Sequence, residues 1–155
     1  MLNLGPHESL EVRREDPEEL EVEVRYEPGG KPPPKHFHPH QDEHFEVLTG
    51  TLSFRVDGDE RTLAAGETID IPRGKVHQVW NAGGEPASAT WITRPALRTR
   101  QWFEAIDGLH REGRAGPATF APLLAEYDDV FQLAVAPRPL TRAAVRAIGA
   151  IAGWR

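Results

Sequence analysis

Gly30-Lys-Pro-Pro-Pro-Lys-His36-Phe-His38-Pro-His-Gln-Asp-Glu43-His-Phe-Glu-Val-Leu-Thr-Gly50 is the stretch whose reading decides the fold. His36 and His38 are two apart, so on an extended strand, where side chains alternate, both imidazoles face the same way. Pro32, Pro33 and Pro34 exclude a helix, and Lys31 to Lys35 reads as an extended approach to His36. Pro39, His40, Gln41 and Asp42 read as a turn that re-aims the chain. Glu43 then opens a return strand, Glu-His-Phe-Glu-Val-Leu. Two imidazoles and a carboxylate brought together in this way make a mixed nitrogen–oxygen site for a divalent metal.

Outward from this stretch the pattern stays that of short strands. On its N-terminal side Leu20, Val22, Val24 and Tyr26 alternate with Glu21, Glu23 and Arg25, a half-buried strand stopped by Pro28-Gly29-Gly30. Residues before Leu20 are mostly polar and predict little. On the C-terminal side Leu52, Phe54 and Val56 share one face, Asp57-Gly58 signals a hairpin, and Arg61 to Ala64 is its partner. Strands over 67–71, 76–81 and 87–93 follow, separated by Pro72-Arg-Gly74 and Ala82-Gly-Gly84. Strands at this spacing are those of a sandwich or barrel.

From about Arg100 the periodicity becomes helical. Trp102, Phe103, Ile106 and Leu109 recur at helical intervals, and Pro117 opens a second helix bearing Phe120, Leu123, Leu124 and Tyr127. A break with Pro137 and Pro139 leads to a third, capped by Thr141 and striped with Val145, Ile148, Ile151 and Ala152. The expected organisation is a β part over residues 1–98 and a helical extension over 99–155.

The chain has 155 residues and a net charge of −6, which fits one soluble domain and gives no basic footprint for nucleic acid. It has no cysteine, so disulfides and thiolate metal sites are excluded and any metal site must be built from nitrogen and oxygen. Residues 1–16 hold no apolar run able to act as a signal peptide, and no stretch approaches a membrane span. The expectation is a cytoplasmic protein without membrane contact.

His77 completes the pattern. Gly30-x5-His36-x-His38-x4-Glu43-x6-Gly50 is followed by Gly66-x5-Pro72-x-Gly74-x2-His77-x3-Asn81. This arrangement resembles the two motifs of the cupin superfamily, with a short spacer from Thr51 to Ala65. The resemblance covers about residues 20–95. It implies a mainly β fold, a double-stranded β-helix or jelly-roll barrel, with C-terminal α-helices like those of some small bacterial cupins. It also implies one divalent transition metal held by His36, His38, Glu43 and His77, and a homodimer. Three imidazoles and a carboxylate suit Fe, Mn, Ni, Zn or Cu, and leave open positions for substrate or dioxygen.

Strand parity places Phe45 and Val47 on the face of Glu43, and Val79 and Asn81 on that of His77, as candidate lining of a substrate pocket. Asn81 also has a structural reading, through bonds to a loop. His40 and His44 read as solvated surface residues, Arg55 and Arg73 as solvated charges beside turns, and Trp91 and Trp80 as core in preference to pocket lining. Two function classes follow. One is a metal-dependent enzyme, dioxygenase-like, acting on a small organic molecule. The other is a non-catalytic metal- or small-ligand-binding sensor or interaction protein. No catalytic acid or base is identified beyond the metal ligands.

Overall fold

The computed structural model describes residues 1–134, which form two antiparallel sheets facing each other with two helices after the last long strand. The expected third helix, from Thr141, lies outside the described residues. The strands are β1 (Leu2–Gly5), β2 (Glu8–Asp16), β3 (Glu19–Tyr26), β4 (His36–Phe37), β5 (Asp42–Thr49), β6 (Thr51–Val56), β7 (Asp59–Ala64), β8 (Thr68–Ile71), β9 (His77–Trp80), β10 (Ala87–Arg94) and β11 (Gln132–Leu133). The helices are α1 (Thr99–Arg111) and α2 (Pro117–Glu126). One sheet has the order β1-β2-β3-β10-β5-β8 and the other β11-β4-β9-β6-β7. This is the double-stranded β-helix expected from the motif pair.

The alternation in β3 does what its sequence dictates. Leu20, Val22, Val24 and Tyr26 are buried, and they meet Leu10 of β2, Phe45 and Val47 of β5, Ala89 and Trp91 of β10 and Phe54 of β6 in one core. At the centre Phe45 stacks on Trp91 (centroids 5.3 Å apart, planes 17° apart) and meets Phe54 edge-on at 5.3 Å. Burial of large side chains at roughly 25 cal/mol per Å² is the main force holding the two sheets together.

β1 and β2 are additions to the expected layout. Leu10 and Val12 do alternate, but Glu11, Arg13, Arg14, Glu15 and Asp16 around them mask the pattern. Arg13 is bonded to Glu23 (2.7 Å), across the β2–β3 ladder, so those charges form the solvent face of a paired strand.

Two turns require glycine. Gly50, between β5 and β6, has φ +69°, and a Cβ there would sit 2.7 Å from the Pro86 carbonyl oxygen, so neither the angle nor the space admits a side chain. Gly74, at φ 78°, turns the β8–β9 connection so that its N–H donates to the His38 carbonyl (2.8 Å). That bond ties the second motif to the first. The Asp57-Gly58 hairpin has positive φ at both residues (48° and 92°), as a two-residue primed turn needs.

α1 lies on the face of β1, buried through Trp102, Phe103, Ile106 and Leu109. Asp107, itself buried, accepts the Asn3 N–H (2.9 Å) and pairs with Arg111. No helix among the described residues is long and apolar enough to cross a membrane.

Candidate metal centre

β4 and β9 pair so that His36 stands opposite His77, which brings the two sequence motifs face to face. His38 follows β4 by one residue and turns inward. The three imidazoles offer ligand atoms that all lie within 4.8 Å of one another, a group able to hold a metal ion. His38 and His77 are buried and His36 is half-buried. Glu43 opens the inner face of β5 beside this trio rather than inside it. Its Oε2 lies 2.9 Å from His77 Nε2 and its Oε1 lies 3.3 Å from His38 Nε2.

Each imidazole is oriented by a backbone carbonyl. His36 Nδ1 donates to Pro34 O (3.0 Å), His38 Nδ1 to Val130 O (2.6 Å) and His77 Nδ1 to Lys75 O (2.9 Å). A carbonyl can only accept, so the proton sits on Nδ1 in all three and each Nε2 is the atom left to face a ligand, that of His77 standing 2.9 Å from Glu43 Oε2. Such outer bonds fix ring orientation and raise ligand basicity at metal sites. Glu43 is held too: the Trp91 indole N–H donates to its Oε1 (2.9 Å).

The electrostatics follow from burial and from the mutual contacts of the four side chains. Burial first, then neighbouring His77 and His38, pushes His36 down to about 3. Burial likewise lowers His38, against the pull of Glu43. Burial alone would raise the Glu43 carboxyl, but His38 and His77 outweigh it and hold it at about 2. His77 moves up, because the Glu43 carboxylate outweighs its burial. His36 and His38 are thus held neutral and Glu43 ionised, the protonation states metal binding requires, while His77, whose proton Glu43 retains, would give that proton up to a metal. Among the described residues, His38 Nε2 and Glu43 Oε2 are buried with no hydrogen-bonding partner of proper geometry. Leaving such atoms unpaired is costly, and a shared cation satisfies both. The residues therefore fit a divalent transition metal.

The pocket candidates are placed differently from one another. Phe45 and Val47 of β5 and Val79 of β9 are buried in the hydrophobic core. Asn81 departs from the strand parity that would have aligned it with His77, because β9 ends at Trp80. Its amide N–H groups donate to Tyr26 O (3.1 Å) and Glu85 O (2.8 Å), and its Oδ1 accepts the Gly83 N–H (2.8 Å). Asn81 is a peg for the β9–β10 loop. His40 is exposed, and His44 faces Asp70 on the outer side of β5 (2.7 Å). Arg73 is paired with Asp42 (2.7 Å) and Arg55 with Glu60 (2.6 Å), both near the surface.

Sequence reasoning weighs Trp91 as core or pocket lining, and its bond to Glu43 adds a further role. It assigned nothing to Val130 and Phe131, although the Phe131 ring stacks on His36 (centroids 4.7 Å apart, planes 20° apart). The sequence places Gln41 only in a turn. It is buried, and its Nε2 lies within bonding distance of Pro95 O, Ala96 O and Thr99 Oγ1, anchoring the start of α1 to the turn between the ligands.

Comparison with known proteins agrees with this geometry. Residues 22–93 match the family model described as cupin domain, a span that takes in all four candidate ligands. An oxidoreductase of Arthrobotrys oligospora is 37% identical over 60 residues, 38% of this chain and 24% of that protein. The tetracenomycin polyketide synthase protein TcmJ of Streptomyces glaucescens is 33% identical over 61 residues, 39% of this chain and 41% of that protein. The matched stretch thus spans less than half the length of either relative. Among solved structures, KdgF from Halomonas sp. superposes with a TM-score of 0.58 at 17% identity, over 63% of this chain and 89% of that one, a likeness of fold.

Proposed function

Residues 22–93 are a cupin domain, and from that premise we propose that the chain is a metal-dependent enzyme of the oxygenase type acting on a small organic molecule. His36, His38, His77 and Glu43 would hold one divalent transition metal, which when bound supplies a Lewis-acid or redox centre. The observation that carries the reading is the set of three Nε2 atoms turned inward by three backbone carbonyls beside a buried, ionised Glu43. The oxidoreductase name of one relative supports the same direction.

The chain's own residues set what such a site accepts. Three neutral imidazoles and one carboxylate leave a divalent ion with one net positive charge, in surroundings where burial strengthens electrostatic attraction. That favours a substrate that presents an oxygen anion, such as a carboxylate or enolate. His36, the half-buried ligand, marks the side of approach, and the Phe131 ring beside it offers an apolar face to the rest of the substrate. Trp91 holds Glu43 in place, so the carboxylate is committed to the metal rather than to proton transfer.

The test is metal content by mass spectrometry on untagged protein, with His77→Ala and Glu43→Ala beside the wild type. The expected result is about one transition metal per chain (full occupancy of a four-ligand site), lost in both variants, and dioxygen consumption by the Fe(II)-loaded wild type with carboxylate or enolisable substrates. Protein that takes up no transition metal sinks the reading. A full complement of metal without dioxygen consumption would leave a metal-binding, non-catalytic cupin.

A further inference from the structure

The last described residues, 127–134, lie beyond the family match, yet they touch His36 and His38 directly. After α2 the chain makes a tight turn in which the N–H groups of Val130 and Phe131 both donate to Tyr127 O (2.9 Å each). That turn delivers the Val130 carbonyl to His38 Nδ1 (2.6 Å), with Val130 itself fully buried. It also lays the Phe131 ring against two ligands, stacked on His36 at 4.7 Å and edge-on to His38 at 5.9 Å. Behind Phe131 stands Trp102 of α1, stacked at 5.1 Å. The chain then joins the ligand-bearing sheet: β11 pairs with β4, Leu133 stands opposite His36, and the Ala134 N–H donates to Lys35 O (2.8 Å).

We propose that this segment is part of the metal centre, with Phe131 as a positioning residue that holds His36 and His38 in their metal-binding orientation. The proposal rests on the metal-binding reading above and deepens it. His38 alone among the three imidazoles takes its orienting carbonyl from outside the barrel motifs; Pro34 and Lys75 lie two residues from the imidazoles they orient. The tautomer of His38, and so the direction of its lone pair, depends on whether 127–134 is docked. Docking is independently fastened at the surface, where Arg98 bonds Asp129 (2.5 Å) and Glu126 O (2.8 Å) and lies over the Tyr127 ring at 4.7 Å. Because coupling between two binding events is reciprocal, a docked segment that tightens metal binding must itself be tightened by metal to the same factor.

The test compares Co(II) binding by wild type, Phe131→Ala and Phe131→Tyr, through competition with a chelator and the visible ligand-field spectrum. Phe131→Ala is expected to weaken Co(II) by about ten-fold, the low end for loss of an outer-shell partner, and to alter the spectrum. Phe131→Tyr, which keeps the ring, should match wild type in both. Hydrogen exchange of wild-type protein with and without Zn(II) is the second arm and needs no variant. Exchange at Ala134, whose amide reaches back to Lys35, should slow when Zn(II) binds.

Folded Phe131→Ala with wild-type affinity and spectrum overturns the proposal, as does Ala134 exchange indifferent to Zn(II). Failure of the wild type to bind either ion would instead overturn the metal-binding reading on which the proposal stands.

Discussion

Glu43 accepts the Trp91 indole N–H at Oε1, while its Oε2 faces His77 Nε2 at 2.9 Å, and the indole bond predicts a loss of its own. Trp91→Phe removes a neutral donor to a buried carboxylate and keeps most of the ring that stacks on Phe45. Metal affinity should fall by about ten-fold, as for other outer-shell partners, with the fold intact by far-ultraviolet circular dichroism; an unchanged chelator-competition curve would rule out a role for the indole. Glu8 offers a test away from the metal. Burial lifts its carboxyl to about 7, against a Tyr26 hydrogen bond that lowers it, whereas an unfolded chain leaves it near the ordinary 4.5. A carboxyl raised in the fold contributes stability that is fully present below the unfolded value and is lost as pH rises through the folded one. Glu8→Gln should therefore gain on the wild type between about pH 4.5 and 7, seen as a difference in melting temperature that grows over that window. A difference independent of pH would show that Glu8 is ionised alike in both states.

Among the elements, α1 and β1 hold each other. β1 is the edge of the six-stranded sheet, and its Asn3 amide is satisfied by Asp107 of α1 rather than by another strand. Asp107→Ala removes that partner from an exposed residue, and should cost about 0.5–1.5 kcal/mol and speed hydrogen exchange at Asn3, while amides in the β3–β10 ladder stay protected. The strands from β3 to β10 were legible because Leu20, Val22, Val24, Leu52 and Phe54 alternate between clear turn signals. β2 was hidden because Glu11, Arg13, Arg14, Glu15 and Asp16 carry so much charge that Leu10 and Val12 do not stand out, and β1, only Leu-Asn-Leu-Gly, is too short to show a period. His36, His38 and His77 were legible because side chains identify themselves by type and spacing. Val130 was not legible, since it acts through a main-chain carbonyl that every residue owns. Phe131 sits in a stretch with no period to give it a face. Asn81 shows the limit of parity reasoning: one residue past the end of a strand, alternation no longer says where a side chain goes.

For the molecule as a whole, a metal held as proposed would link the sheets, since Glu43 belongs to one, His36 and His77 to the other, and His38 directly follows β4. A transition metal at a hundred times its dissociation constant should add about 2.7 kcal/mol, roughly 5–10 °C in melting temperature for a chain of this size. Mg(II) should add nothing measurable, because it needs oxygen ligands that three imidazoles do not provide. Calorimetry with Zn(II), Co(II) and Mg(II) distinguishes these outcomes, and equal shifts for all three would point to non-specific binding. The pairing of β11 with β4 has a consequence in time as well as in space. On the ribosome His36, His38, Glu43 and His77 emerge well before Val130 and Phe131, so a nascent chain displays its imidazoles while the strand that finishes their setting is still being translated. If the site takes a metal as proposed, an ion met during synthesis would find the ligand set without the Val130 carbonyl and the Phe131 ring, which arrive only when β11 pairs with β4.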